Sequence, residues 1–419
     1  MLFEFVTSAF MASLLGVGYV KKHVGLNDAA KIQRIFANAG WVGKDNGLPK
    51  PIRIRRKRRI PGGTEYVYQL PLAFDRKKVE EKIHVLEDGL NVTSRSIDWK
   101  ALRDVRTVKQ LKTVINAKKP RKEVELAFDG MLKIRIYNEP MPAKIDWDPS
   151  LLKPGTWSVP IGHTRNGKVM YHDFDDLYSL IVAGTPGYGK SFFLKMLISV
   201  LVLNNPKNVS FTLIDLKEGA AFKRFEKLKQ VKYVGYNPED AKTALESVKE
   251  DMTAMYRNFI DEGFEDVKEA KIPHRHFVII DEGADIAQDP ACIELLTDIA
   301  RRGRAAGFYP IYSTQYPTSR TIPIDVKRNI PTRLTFVLDS NNASLAVLDQ
   351  GGAEDLPMIK GRAIYKHVKC TTVQTPYMSN AEIETRIKPN IVLKARETDA
   401  NEITPRGKSS LVLKENGLS

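Results

Sequence analysis

Leu180-Ile-Val-Ala-Gly-Thr-Pro-Gly-Tyr-Gly-Lys-Ser-Phe-Phe193 is the stretch on which the reading of this chain turns. Four apolar residues, Leu180 to Ala183, read as a buried strand. They lead into G-x-x-x-x-G-K-S, present as Gly184, Gly189, Lys190 and Ser191. The apolar-periodic run from Phe192 to Leu203 reads as a helix. Strand, glycine-rich loop and helix in that order are the context a phosphate-binding loop requires. Glycines let successive backbone N–H groups turn inward around an anion, and the helix points its positive end at the same place. Gly184, Thr185, Pro186, Gly187, Tyr188, Gly189, Lys190 and Ser191 are therefore expected to cradle the phosphates of ATP. Lys190 is expected to reach the β- and γ-phosphates and the Ser191 hydroxyl to hold Mg2+.

Working outward, strands and helices alternate from Leu180 onward. Strands are expected at Val209 to Asp215, Val231 to Gly235, Phe277 to Ile280, Tyr309 to Ser313 and Arg333 to Val337, and the longest helix from Pro238 to about Ile260. This alternation predicts an α/β fold with a parallel sheet covered on both faces, its ligands at the carboxyl ends of the strands. Phe277-Val-Ile-Ile-Asp-Glu282 is an apolar strand closing on two carboxylates, the form of a Walker B element. Asp281 is expected to hold the Mg2+ shell through water and Glu282 to accept a proton from the attacking water. Tyr309 to Gln315 is a second strand with a polar end, where Gln315 can orient that water or sense the γ-phosphate. Arg301, Arg302 and Arg304 follow a predicted helix, Ala291 to Ala300. They read either as a finger reaching a neighbour's nucleotide or as cations that suit a helix carboxyl end.

Upstream, the 419 residues leave room for a second folded unit. Gly63 to Leu72, Glu123 to Phe128 and Met131 to Tyr137 read as strands, and Asp75 to Asp88 as a helix. This gives a small α+β domain over residues 25–150, followed by the phosphate-loop domain over 151–378 and a polar tail over 379–419. Pro140, Pro142, Pro149 and Pro154 mark the linker, and Trp157 to Tyr171 reads as a hairpin turning at Asn166-Gly167. Six cations lie between Arg53 and Arg59, and Lys118, Lys119, Arg121 and Lys122 form a second cluster. The first reads as a solvated edge strand or as contacts to an anionic surface, and the second sits in the loop before the last hairpin. The net charge of +15 favours a polyanionic partner, a nucleic acid or an acidic membrane face. Phe5 to Val20 carries no charge and is followed by Lys21 and Lys22, which suits a single membrane anchor within residues 1–24. At about 24 Å of helix it is shorter than the roughly 30 Å hydrocarbon core, and a buried helix is the other reading. Two distant cysteines, Cys292 and Cys370, suggest neither a disulfide framework nor a metal site.

Taken together these motifs resemble the FtsK/SpoIIIE family. Ile299 to Gly307 is similar to that family's motif after Walker B, Ser313-Thr-Gln-Tyr-Pro317 to its ATQRP element, Asn329 to Arg333 to NIPTR, and Leu348 to Leu356 to LDxGGAExL. The resemblance runs from about Thr156 to Tyr377. It implies a RecA-like P-loop motor that assembles as a hexamer and threads double-stranded DNA with ATP and Mg2+. By that resemblance Lys190, Glu282, Gln315 and Arg304 are catalytic and Asp281 and Ser191 bind the metal. The compact layout is most similar to the coupling proteins of Gram-positive conjugative elements, which implies a relaxase and a secretion channel as partners at the cytoplasmic face of the membrane. A segregation or packaging DNA pump and a type VII protein-secretion ATPase are the competing expectations.

Overall fold

The structure is a computed structural model, and it describes residues 27–45, 48–70, 79, 83–91, 121–217, 219 and 221–391. In the amino-terminal part, β1 (Val42–Asp45) and β2 (Leu48–Pro51) form a hairpin. Next come β3 (Arg53–Ile60), β4 (Gly63–Gln69), β5 (Glu123–Phe128) and β6 (Leu132–Tyr137), arranged as an antiparallel sheet in the order β3-β4-β6-β5. Helices Asp28–Asn38 and Ile83–Asn91 pack with this sheet around Ile32, Phe36, Tyr68, Leu86, Leu132 and Ile134, all buried. The described part of the second helix, Ile83–Asn91, overlaps the predicted span from Asp75 to Asp88 and runs past it to Asn91; Val79 is also helical, and the rest of the span's first half lies outside the described residues. β3 is an edge strand, and Arg55 to Arg59 are exposed along it. Solvent on both faces of an edge accounts for a strand that breaks off its apolar alternation after Ile54.

The second sheet has ten strands. It adds β7 (Ser158–Thr164), β8 (Val169–Asp173), β9 (Leu180–Ala183), β10 (Val209–Asp215), β11 (Val231–Gly235), β12 (Arg275–Asp281), β13 (Phe308–Thr314), β14 (Arg333–Phe336), β15 (Arg362–Lys366) and β16 (Cys370–Gln374). Their order is β11-β10-β12-β13-β9-β14-β15-β16-β7-β8. Only the first six are parallel; β15, β16, β7 and β8 join antiparallel. The expected parallel sheet is thus a mixed one. Within it, β15 to β16 and β7 to β8 are tight hairpins and so must be antiparallel, because a parallel pair needs a crossover of a dozen residues or more.

Side-chain alternation divides the sheet's contacts into two cores. Leu180, Val182, Phe211, Leu213, Phe277, Ile279 and Ile311 face one side, covered by helix Lys190–Asn204. Ile181, Ala183, Ile214, Val278, Ile280 and Tyr312 face the other, covered by helices Pro238–Asp261 and Pro290–Ala306. The helix that starts at Lys190 is apolar around its whole circumference. That suits its place between the sheet and helix Asn380–Ile387, which packs on its outer side.

Two boundaries differ from expectation. Helix Pro290–Ala306 runs past Ala300 and takes in Arg301, Arg302 and Arg304. It stops only where Gly307 adopts φ 74°, a left-handed cap that glycine accepts at little cost. The expected polar tail begins with a folded helix: Ser379 and Glu382 close a capping box, and Ile383 and Ile387 are buried. The Phe5 to Val20 stretch, Lys118, Lys119 and residues 392–419 lie outside the described residues. Among the described residues no helix is long and apolar enough to cross a membrane.

Candidate functional site

β13 lies between β9 and β12, with Val182 opposite Ser313 and Ile280 opposite Tyr312. Three parallel strands therefore end side by side, and their carboxyl ends bring together residues 131 positions apart in sequence, from Gly184 to Gln315.

The loop after β9 is pinned at both ends. Gly184 N–H donates to the Thr314 carbonyl (3.3 Å) and Thr185 N–H to the Val337 carbonyl (3.0 Å). At the other end Gly361 N–H donates to the Tyr188 carbonyl (2.8 Å). Glycine is required at Gly184, where a Cβ would lie 2.6 Å from Cβ of Phe336. It is required again at Gly189, which has φ 123° and packs against Gly361. Gly187, by contrast, has φ 89° and open space over it. Gly189 is the N-cap of the following helix and supplies no capping side chain. The first N–H groups of a long helix thus face an open, glycine-lined bend, an arrangement that fits phosphate.

Lys190 and Asp281 meet beneath this loop as a buried ion pair, their side chains 4% and 3% exposed. Ser313 completes the triangle: its hydroxyl donates to Asp281 Oδ1 (2.7 Å) and accepts from Lys190 Nζ (3.1 Å). Among the described residues the Ser191 hydroxyl has no protein partner. A hydroxyl and a carboxylate at this spot, with phosphate oxygens, form the oxygen donor set Mg2+ prefers.

Glu282 begins the turn after β12 in the left-handed region, φ 63° and ψ 56°. The next residue must be glycine, because a Cβ at Gly283 would run into the buried Tyr312 ring. An uncommon backbone at a carboxylate is the type of strain that clusters at working sites. It aims Glu282 back across β13, where Oε1 accepts from the Thr314 hydroxyl (2.9 Å) and Gln315 N–H (3.1 Å). Oε2 faces Lys217 Nζ at 3.1 Å. Asp285, one turn on, has its carboxyl pushed up by burial and then by the charge of Glu282.

The arginines do not join this cluster. Arg301 and Arg302 both pair with Asp298. Arg304 sits over the Tyr178 ring (4.8 Å) and donates to its hydroxyl (3.4 Å). It lies in the last turn of helix Pro290–Ala306, just before β13, and the length of β13 separates it from Gln315 by about 20 Å. Within the stretch from Gly263 to His276, Arg275 is buried against Asp175 (2.8 Å) and His274 bonds Ser210 (2.8 Å). Neither faces solvent as a free cation.

Sequence reasoning did not single out Ser313, Thr314 or Lys217 as site residues. The polar end of β13 was a visible signal for the first two. Nothing local marks Lys217, because only the pairing of β10 with β12, Asp215 opposite Asp281, brings it to Glu282. The other motifs turn out to be braces. Arg333 is buried and donates to the carbonyls of Lys327 (2.7 Å), Thr332 and Val347 (both 3.1 Å). Asp349 takes Lys327 (2.7 Å) and Lys366 (3.1 Å). Glu354 accepts from Asn341, Ser344 and Gly352 N–H, and these bonds hold its carboxyl down to about 2 against the opposing effect of burial.

A mostly parallel sheet carrying this loop and this pair of carboxylates defines a P-loop NTPase fold. The FtsK/SpoIIIE family model matches residues 140–277, so the chain carries an FtsK/SpoIIIE-family domain. It is 27% identical over 388 residues to the DNA translocase FtsK of Halalkalibacterium halodurans, covering 85% of this chain and 48% of the relative. It is 32% identical over 248 residues to that of Leptospira interrogans, covering 54% and 26%. The chain thus spans about half or less of the length of these curated relatives. Among solved structures it is similar to the monomer form of the pCW3 conjugation coupling protein TcpA with ATPγS. There the TM-score is 0.56 at 18% identity, over 87% of this chain and 99% of that one. The cytoplasmic domain of the Thermomonospora curvata type VII secretion ATPase EccC gives 0.53 at 20% identity, over 60% and 33%. At these identities the two likenesses speak for the fold alone.

Proposed function

We propose that this protein is an ATP-driven DNA translocase that works as a homo-hexameric ring on double-stranded DNA. The observation that carries the reading is the meeting of Lys190, Asp281, Glu282 and Gln315 at the ends of adjacent parallel strands, in a chain related to DNA translocases.

The residues divide the work. Backbone N–H groups from Gly187 to Ser191 take the β- and γ-phosphates, and Lys190 leaves Asp281 to reach them. Ser191 and Asp281 are the residues to hold Mg2+, which when bound neutralises charge across the β- and γ-phosphates. Glu282 accepts the proton of the attacking water, and Gln315 positions that water from the end of β13. Arg304 is too far from its own loop to serve it. In a ring we assign it, ahead of Arg301 and Arg302, the task of stabilising charge on a neighbour's nucleotide. The +15 charge supplies the electrostatic attraction for the DNA backbone.

In biological terms we place the motor at the cytoplasmic face of the membrane as the coupling protein of a conjugative element, delivering a relaxase-bound DNA to a secretion channel. The likeness to the conjugation coupling protein over nearly the full length of both chains supports this choice. The test is ATP turnover with duplex DNA, with single-stranded DNA and with neither, across a salt series. Stimulation by duplex that falls steeply with salt is expected, because each phosphate contact releases counterions. Turnover indifferent to DNA and salt in an assembled ring would point to a protein cargo and sink the proposal.

A further inference from the structure

The Glu282 carboxylate is hydrogen-bonded through one oxygen and only ion-paired through the other, which is buried without a hydrogen-bond partner among the described residues. Oε1 is held by Thr314 and Gln315, which belong to the adjacent strand end. Oε2 has as its counter-ion Lys217, whose Nζ lies 3.1 Å away and which sits two residues beyond the end of β10. These partners differ in kind. Thr314 is buried and part of the sheet, and Gln315 holds Glu282 through its backbone. Lys217 has its side chain 40% exposed, whereas that of Glu282 is 6% exposed. One end of this ion pair is therefore open to solvent and the other is not.

The base of the Lys217 loop is fixed. Asp215, fully buried, accepts from Ala221 N–H (2.7 Å) and Phe222 N–H (2.9 Å) through Oδ2, and from Lys217 N–H (3.3 Å) through Oδ1. The lysine backbone thus stays at a set place beside the site, while its side chain is 40% exposed to solvent. A carboxylate whose charge is neutralised by an adjacent ammonium is a poorer proton acceptor. It must be released, or the water must compete for it, before it can act.

Resting on the translocase reading above, we propose that Lys217 is a positioning residue that restrains Glu282 in the resting protein. A phosphate that captures the exposed ammonium lets the carboxylate go. In the working motor that phosphate is one from the DNA backbone, which makes Lys217 the link between DNA engagement and hydrolysis. The step transfers no bond or electron. One ion pair, Lys217 with Glu282, is exchanged for another, Lys217 with phosphate, and the freed carboxylate then takes one proton from the attacking water.

The experiment measures kcat and KM for ATP on the full chain, without nucleic acid, with duplex DNA and with inorganic phosphate at matched ionic strength, for wild type, K217M and K217R. Thermal melts check that each variant is folded. K217M is expected to raise DNA-free kcat several-fold at unchanged KM and to bring the DNA stimulation ratio close to one. K217R, which keeps the cation, is expected to recover most of the restraint. DNA stimulating wild type where inorganic phosphate does not identifies the backbone as the source, and equal stimulation by phosphate overturns the DNA link. A folded K217M whose DNA-free kcat matches or falls below wild type, while wild type still responds to DNA, overturns this assignment and leaves the translocase reading standing. Wild type that ignores DNA overturns the translocase reading, and the release step with it.

Discussion

Lys190 and Asp281 are an ion pair so buried that their contribution to folding is measurable apart from their part in catalysis. Removing one partner of such a pair leaves a charge with almost no water, at a cost of roughly 3–5 kcal/mol. Ser313 remains as a hydrogen-bond partner for whichever group is left, which places the single variants near the low end, about 3 kcal/mol each. Lys190→Met and Asp281→Asn keep the volume and delete the charge. The double variant leaves no uncompensated charge, so it is expected to lose about 4 kcal/mol rather than about 6, a coupling of about 2 kcal/mol. For a unit of this size each kcal/mol is worth roughly 2–4 °C in melting temperature. Calorimetric melts in nucleotide-free, Mg2+-free buffer should therefore show the double variant melting well above the sum of the two single losses. If the losses add to within about 0.5 kcal/mol, the residues are not paired in the resting protein. The same data bear on how a dead Lys190 variant is read, since part of its defect is expected without any nucleotide.

Glu282→Gln should keep nucleotide binding and ring assembly while turnover falls by roughly 10²–10⁴, the usual worth of a general base; near-normal turnover would remove Glu282 from that role. Arg304→Ala should bind ATP normally yet lose about 10³ or more in assembled turnover, and mixing it with Lys190→Met subunits should restore some activity through shared sites. No rescue and no loss would leave Arg304 as a mere partner of Tyr178. Glu354 should give the fold an acid limb. Its carboxyl is held down to about 2, so its stabilisation is present above the ordinary glutamate range and is lost as pH falls toward 2. Melting temperatures of Glu354→Gln should fall below wild type at pH 7 and converge with it in acid; a constant offset would argue against the bonds to Asn341 and Ser344.

The phosphate loop, the carboxylates after Ile280 and the parallel strands of the large sheet are written locally, in largely apolar runs, several of them closed by glycine, an acid or other polar residues. Backbone sterics, burial and short-range periodicity are properties of neighbouring residues, so sequence by itself determined them. The β5–β6 hairpin at Asp129-Gly130 was legible for the same reason. Tertiary structure decided what depends on strand order. It put β13 between β9 and β12, and so made Ser313 and Thr314 partners of Asp281 and Glu282. It also brought β10 beside β12, and so set Lys217 on the carboxylate. It added β15, β16, β7 and β8 antiparallel to the expected parallel sheet, and placed helix Asn380–Ile387 on the phosphate-loop helix where a polar tail was read. Pairing between strands far apart in sequence, such as Val182 with Ser313, is selected by the packing of the whole core, and no local pattern carries that information.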